Sequence, residues 1–263
     1  MRIVIETEPD AAAARVARIV ADAIRSNPRC VLGLAAGRTM DPVYAKLVEG
    51  HEREGVSFRG VTTFNLDEYI GAAPNDEWSF QYFTIRCLVE PTDLPRASAH
   101  APSGAAADVF EEARRYEETI RNSGGIDLQL LGLGRNGHLG FNEPGSSLGS
   151  RTRAKALTEE TLRANRDELP TLGDAAPQAA ITMGLGTILA ARSCLLLATD
   201  STKASAVAAM VEGPVTSRVP ASILQQHPDA TVVLDAAAAE RLEGRLYYQR
   251  AEQLQRQLEE RGR

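Results

Sequence analysis

DLQLLGLGRNGHLGFNEPG, residues 127–145, runs from an unbroken apolar stretch into a loop crowded with glycine. How it is read decides the fold. Gly132, Gly134 and Gly137 repeat the Gly-x-Gly-x-x-Gly spacing of a dinucleotide-binding turn. That turn needs a helix beginning at its last glycine, so that pyrophosphate meets the helix N-terminus. Here Gly140, Pro144 and Gly145 break any helix within two turns, and the motif lies mid-chain, outside a first βαβ unit. The spacing is therefore incidental. The glycines instead let the backbone wrap closely around a ligand and carry His138 and Glu143 to it. Histidine titrates near neutral pH, and a carboxylate beside it orients it or raises its pKa. The competing reading of His138 is a histidine packed in the core.

Outward from this loop the pattern alternates. Apolar strand-like runs at 2–6, 31–34, 61–66, 127–133, 193–199 and 230–235 are separated by helical periodicity at 10–26, 41–54, 107–122, 202–213 and 240–261. Short continuous apolar strands between helices imply an α/β fold whose mostly parallel sheet is covered on both faces. Stretches near 95–106 and 170–178 read as surface loops, and one domain is expected over residues 1–263.

Composition narrows the function classes. Hydrophobic residues make up 43% and charged residues 24% of the 263, as in ordinary globular proteins. A net charge of −6, with no Lys/Arg run, argues against nucleic acid as a partner. No apolar run reaches the roughly 18 residues of a membrane helix. The N-terminus reads as a strand followed by an acidic break, unlike a signal segment, so a cytoplasmic protein is expected. Cys30, Cys87 and Cys194 are far apart and odd in number, which suits free thiols in a reducing compartment, and no Cys/His spacing suits zinc.

In such sheets ligands bind outside the carboxyl ends of the strands. AAGRT (35–39) offers backbone amides, the Thr39 hydroxyl and the Arg38 guanidinium to an anion, or is a plain turn with a solvated arginine. TDSTKA (199–204) puts Lys203 at a helix N-terminus, where a bound anion would offset its clash with the dipole. NLDEY (65–69) ends a strand on Asp67 and Glu68, a general-base candidate or a helix cap.

Taken together, LGLAAGRT (32–39), VSFRGVTTFNLDEYIG (56–71), residues 132–161, AITMGLGTIL (180–189) and SCLLLATDSTKASAV (193–207) resemble the glucosamine-6-phosphate deaminase family. That family lies within a larger group that includes the 6-phosphogluconolactonases. The resemblance implies a Rossmann-like three-layer αβα fold, a helical lid over about 150–180, and neither metal nor organic cofactor. It implies isomerisation with deamination of a hexosamine 6-phosphate, a small-molecule substrate, in a homo-oligomer. Asp67 matches the base that moves a proton between C1 and C2, His138 the ring-opening residue and Glu143 its supporting carboxylate. Gly37, Arg38, Thr39 and Lys203 match the phosphate site, with Gly137 among the substrate-binding backbone.

Three positions depart from the glucosamine branch. Asn136 stands where aspartate is usual and can hold the imidazole only by a hydrogen bond; galactosamine-6-phosphate deaminases resemble this chain there. Arg38 replaces glycine, as in the gluconolactonase loop. Asp167 falls at the lid arginine, with Arg163 and Arg166 nearby. SSLGSRTRAK resembles an activator site of some oligomeric members, implicating Ser146, Arg153 and Lys155, or is a solvated basic loop. Rival readings are a galactosamine-6-phosphate deaminase, a lactonase and a sugar-phosphate sensor without catalysis.

Overall fold

A computed structural model describes residues 1–159, 161–163 and 176–261. Its centre is a seven-stranded sheet: β1 (Arg2–Ile5), β2 (Val31–Leu34), β3 (Thr62–Asn65), β5 (Ala99–His100), β6 (Leu128–Gly132), β9 (Ser193–Ala198) and β10 (Ala230–Leu234). Their order is β1-β10-β9-β6-β2-β3-β5, and every pairing is parallel. VLGL in β2 is buried throughout, as a strand covered on both faces must be. Helix α1 (Pro9–Ser26) lays Ala13, Val16, Ala17, Val20 and Ile24 into the core, and α2 (Asp41–Glu54) packs beside it and ends on Gly55 in the left-handed region.

The expected α/β architecture is therefore what forms, with helices flanking a parallel sheet. The predicted strands hold to within a residue at either end. The closing helix is shorter, Arg245–Arg261, and the stretch at 95–106 contributes edge strand β5 instead of loop alone.

The chain runs β2, β3, β5 toward one edge and β6, β9, β10 toward the other. It reverses between β2 and β6, and the crevice outside the carboxyl ends at such a reversal is where ligands bind.

A second sheet, which the sequence pattern did not announce, closes over those ends. β4 (Asp67–Tyr69) pairs antiparallel with β8 (Ala179–Thr182), and β8 with β7 (Arg153–Ala156). The chain changes sheets at Leu66. Its N–H donates to Leu34 O (2.7 Å) in the central sheet, while its carbonyl accepts from Met183 N (2.8 Å) after β8. Asp67 is thus fixed at the rim of the central sheet by backbone alone.

A small apolar cluster of Tyr69, Ala72, Phe141, Leu157, Leu162 and Ala180 joins this second sheet to the glycine loop. The Tyr69 ring lies 4.7 Å from Phe80 and 5.3 Å from Phe141. The ends of the stretch expected as a helical lid, about 150–180, are strands instead, β7 and the start of β8, because they pair with each other; residues 164–175, with Arg166 and Asp167, lie outside the described residues, and Arg163 is exposed. Among the described residues, no helix is long and apolar enough to cross a membrane.

Candidate active site

The carboxyl ends of β2, β3, β6 and β9 open on one cleft of about 550 Å³. Gly37, Arg38, Thr39, Asp67, Asn136, His138 and Lys203 all line it, so the structure brings together residues spread over 167 positions of chain. A second cavity of about 390 Å³, at the amino ends beside Cys30 and Cys194, touches none of them.

Asp67 is 6% exposed and, among the described residues, has no hydrogen-bonded or ion-paired cation that would favour ionisation. Burial, with a smaller contribution from the Glu68 charge, pushes its carboxyl up to about 8. The neighbouring acid has a different job. Glu68 turns away and accepts from Ser79 Oγ (2.7 Å) and from the backbone N–H groups of Tyr69 (2.9 Å), Phe80 (3.1 Å) and Gln81 (2.9 Å). It therefore caps helix α3 (Phe80–Thr84) and ties it to β4, the capping alternative that the acid pair offered.

The glycines of the β6 loop are explained by what lies against them. A Cβ on Gly134 would stand 2.3 Å from His138 Cδ2 and Nε2, so the imidazole is seated directly on that glycine. A Cβ on Gly140 would meet Asp67 Oδ2 at 3.0 Å, and Gly140 itself has φ +55°. Gly137, at φ +84°, faces Val219 and does not line the cleft, so its expected substrate contact is absent from the cleft wall. After Gly137 the chain makes a tight Leu139–Asn142 bridge and then turns; no helix begins there, and no pyrophosphate seat is formed.

His138 keeps 24% of its side chain exposed, toward the cleft, while Glu143 behind it is 1% exposed. Of the two expectations for Glu143, contact with the ligand or a place beside the imidazole, the geometry gives the second: it stands behind the histidine, buried. His138 Nδ1 lies 3.3 Å from Glu143 Oε2, within ion-pair range but off the line of a hydrogen bond, and makes no other hydrogen bond among the described residues. Burial acts to raise the Glu143 pKa. His138 beside it, the Thr161 hydroxyl and the Asn136 amide outweigh burial and hold it at about 2.

Asn136 does not hold the imidazole. Its Nδ2 donates to Glu143 Oε2 (2.9 Å) and its Oδ1 accepts from the His138 backbone N–H (3.1 Å). The amide thus uses both its ends, one as donor and one as acceptor, which an aspartate could not do.

On the anion side, Gly37 (φ +106°) closes a turn by accepting from Met40 N (2.8 Å), and α2 starts just beyond with its N-terminus toward the cleft. Lys203 ends a short 3₁₀ turn, Ser201–Lys203, at the head of helix Ala204–Val211. Asp200 before it is held at φ 73°, ψ 157°, a region costly for any residue but glycine, while its carboxylate caps Thr202 N (2.7 Å). β2, β6 and β9 are neighbours, so these two strand ends flank the histidine loop. Arg135, from that loop, also lines the cleft; no spacing rule singled it out.

The segment read as an activator site lies elsewhere. Arg153 Nη1 donates to Asn142 Oδ1 (2.9 Å), Lys155 sits mid-strand opposite Ala180, and Ser146 is buried with its hydroxyl unpartnered among the described residues. None of the three lines the cleft. Among the described residues, no group of three or more His, Cys, Asp or Glu side chains is placed to hold a metal ion.

Residues 6–233 match the family model of glucosamine-6-phosphate isomerases and 6-phosphogluconolactonase. The chain is 49% identical to a glucosamine-6-phosphate deaminase of Hahella chejuensis, covering 94% of each chain. It is 47% identical to one of Corynebacterium aurimucosum, over 96% of this chain and 98% of that one. Among solved structures it superposes on a monomeric glucosamine-6-phosphate deaminase with a TM-score of 0.89 and 40% identity, over 92% of this chain and all of the other. A 6-phosphogluconolactonase from Trypanosoma cruzi, at 21% identity and a TM-score of 0.74 over 92% and 97% of the two chains, shares the fold.

Proposed function

The chain belongs to the family of glucosamine-6-phosphate isomerases and 6-phosphogluconolactonases, and we propose that it is a glucosamine-6-phosphate deaminase of the cytoplasm. It converts glucosamine 6-phosphate and water into fructose 6-phosphate and ammonium.

One observation carries the assignment of roles: a desolvated carboxylate and a carboxylate-backed imidazole face the same cleft, beside two anion-binding strand ends. The phosphate is taken by the Gly37–Thr39 amides and hydroxyl, Arg38 and Lys203, which hold the far end of the sugar. His138 moves the proton between the ring oxygen and the C1 hydroxyl as the ring opens, while Glu143 stabilises the imidazolium that forms. Asp67, as carboxylate, removes the C2 proton while the C1 aldehyde oxygen takes a proton from the C2 ammonium, and Asp67 then returns its proton to C1. The C2 amine then becomes an imine, to which water adds, and ammonium leaves to give the ketone. A carboxyl near pH 8 suits the Asp67 step, because its neutral form survives long enough to give the proton back.

The activity is tested by ammonium and ketose phosphate release from glucosamine 6-phosphate, with galactosamine 6-phosphate and 6-phosphogluconolactone alongside. Folded protein that turns over no glucosamine 6-phosphate refutes the assignment.

A further inference from the structure

We infer that Thr161 is a positioning residue for the His138–Glu143 pair: its hydroxyl fixes the plane of the Glu143 carboxylate and so decides which oxygen faces the imidazole. The inference rests on the reading of His138 as the proton carrier. Nothing in the motif pattern marks Thr161; it comes from the segment after β7, while the histidine, the asparagine and the glutamate all come from the loop after β6.

Glu143 is held from two directions. Asn136 Nδ2 occupies Oε2 at 2.9 Å, the same oxygen that lies 3.3 Å from His138 Nδ1. The Thr161 hydroxyl donates to the other oxygen, Oε1, in a short contact. The direction of that bond is set by its surroundings. Thr158 Oγ1 lies 3.1 Å from Thr161 Oγ1 as donor and also accepts from Thr161 N at 3.3 Å. A hydroxyl that accepts from Thr158 has one proton left, and it goes to Glu143.

A glutamate's terminal torsion is soft, with broad and nearly two-fold wells, so backbone and packing alone do not fix the carboxylate plane. Its two hydrogen bonds do. His138 Nδ1 is buried, has no aligned partner among the described residues, and needs Oε2 to point at it once the ring becomes charged. Releasing Oε1 lets the carboxylate swing toward the Asn136 amide and away from the imidazole. Thr161 is itself anchored: it is buried, and Leu162 beside it packs with Tyr69 and Phe141 and donates through its N–H to Thr158 O (2.8 Å).

The test compares Thr161→Val, which keeps the shape and removes the donor, with Thr161→Ser, which keeps the donor. Losing one hydrogen bond to a charged group predicts a kcat lower by about 10- to 30-fold in the valine variant, with KM within about twofold. The serine variant returns kcat to within about threefold of the starting enzyme. In parallel, NMR titration of the His138 imidazole reads the pair without turnover. A carboxylate that has swung away stabilises the imidazolium less, so the His138 midpoint moves downward in Thr161→Val and not in Thr161→Ser.

Unchanged kcat and an unchanged titration in Thr161→Val overturn the inference. So does equal loss in both variants with lowered melting temperatures, which would make the residue merely structural. If the starting enzyme releases no ammonium, the deaminase assignment fails, while the titration arm still decides the role of Thr161.

Discussion

Asp67→Asn should make the protein more stable while abolishing turnover, and the gain should depend steeply on pH. Asp67 is 6% exposed and its carboxyl is raised from 3.8 to about 8, chiefly by burial and secondarily by Glu68. A raised native pKa means that the folded state holds its proton over a range where the unfolded chain has released it. Folding is then unpenalised below about pH 4, loses stability as pH rises from there, and carries the whole penalty above about 8. Four pKa units at about 1.4 kcal/mol each put that penalty near 5–6 kcal/mol, of the order of the total stability of a domain. Asparagine has the same shape and no charge to desolvate.

Urea unfolding of both proteins at pH 5, 7 and 9 checks this. Near pH 5 the two should differ by about 1–2 kcal/mol, and by pH 9 the variant should lead by several. The same pKa governs activity: kcat/KM of the unsubstituted enzyme should climb about tenfold per unit toward pH 8, because only the carboxylate removes the C2 proton. Parallel stability curves for the two proteins would show that Asp67 is not the desolvated group the geometry makes it, and the account of its catalytic tuning would fall with it.

Three further substitutions probe the supporting contacts. Asn136→Asp sets a carboxylate against Glu143 Oε2 where a donor stood at 2.9 Å; one of the pair must take a proton, costing about 2–4 kcal/mol at pH 7 and little at pH 4, read from unfolding at the two pH values. Gly134→Ala places a methyl 2.3 Å from the His138 ring, which can move where backbone could not, so kcat should fall about 100-fold while the melting temperature changes by only a few degrees. Glu68→Gln exchanges one of two acceptor oxygens for a donor, set either against the Tyr69 and Phe80 N–H groups at Oε1 or against the Ser79 hydroxyl and Gln81 N–H at Oε2, so unfolding free energy should drop by about 3 kcal/mol.

What the sequence disclosed and what it withheld divide along a physical line. β2, β6, β9 and β10 are legible because a strand buried on both faces must be apolar at nearly every position, whatever its neighbours. Residue types at their ends are legible for a similar reason: a histidine, an acid or a lysine beside glycines is a local cost that needs a use. β4, β7 and β8 are not legible. RAKA has no alternation or apolar run and AAIT is too short and small to stand out; RAKA becomes a strand only by pairing with AAIT, and AAIT also pairs with Asp67–Tyr69 across more than 110 residues of chain. Partnership is hidden in the same way. Asn136 two positions before His138 suggests a contact with the ring, yet an amide two residues back reaches the backbone N–H and leaves its donor end for Glu143. The glycines show both halves at once. Their number marks the loop as a place where backbone and side chains crowd, but Gly134 is required by a ring in its own loop and Gly140 by an acid from β4. Only the second of these depends on the small sheet. A chain that kept every motif but lost the pairing of β4 with β8 would therefore keep the histidine on Gly134 and lose the placement of Asp67, and with it the carbon chemistry but not the proton carrier.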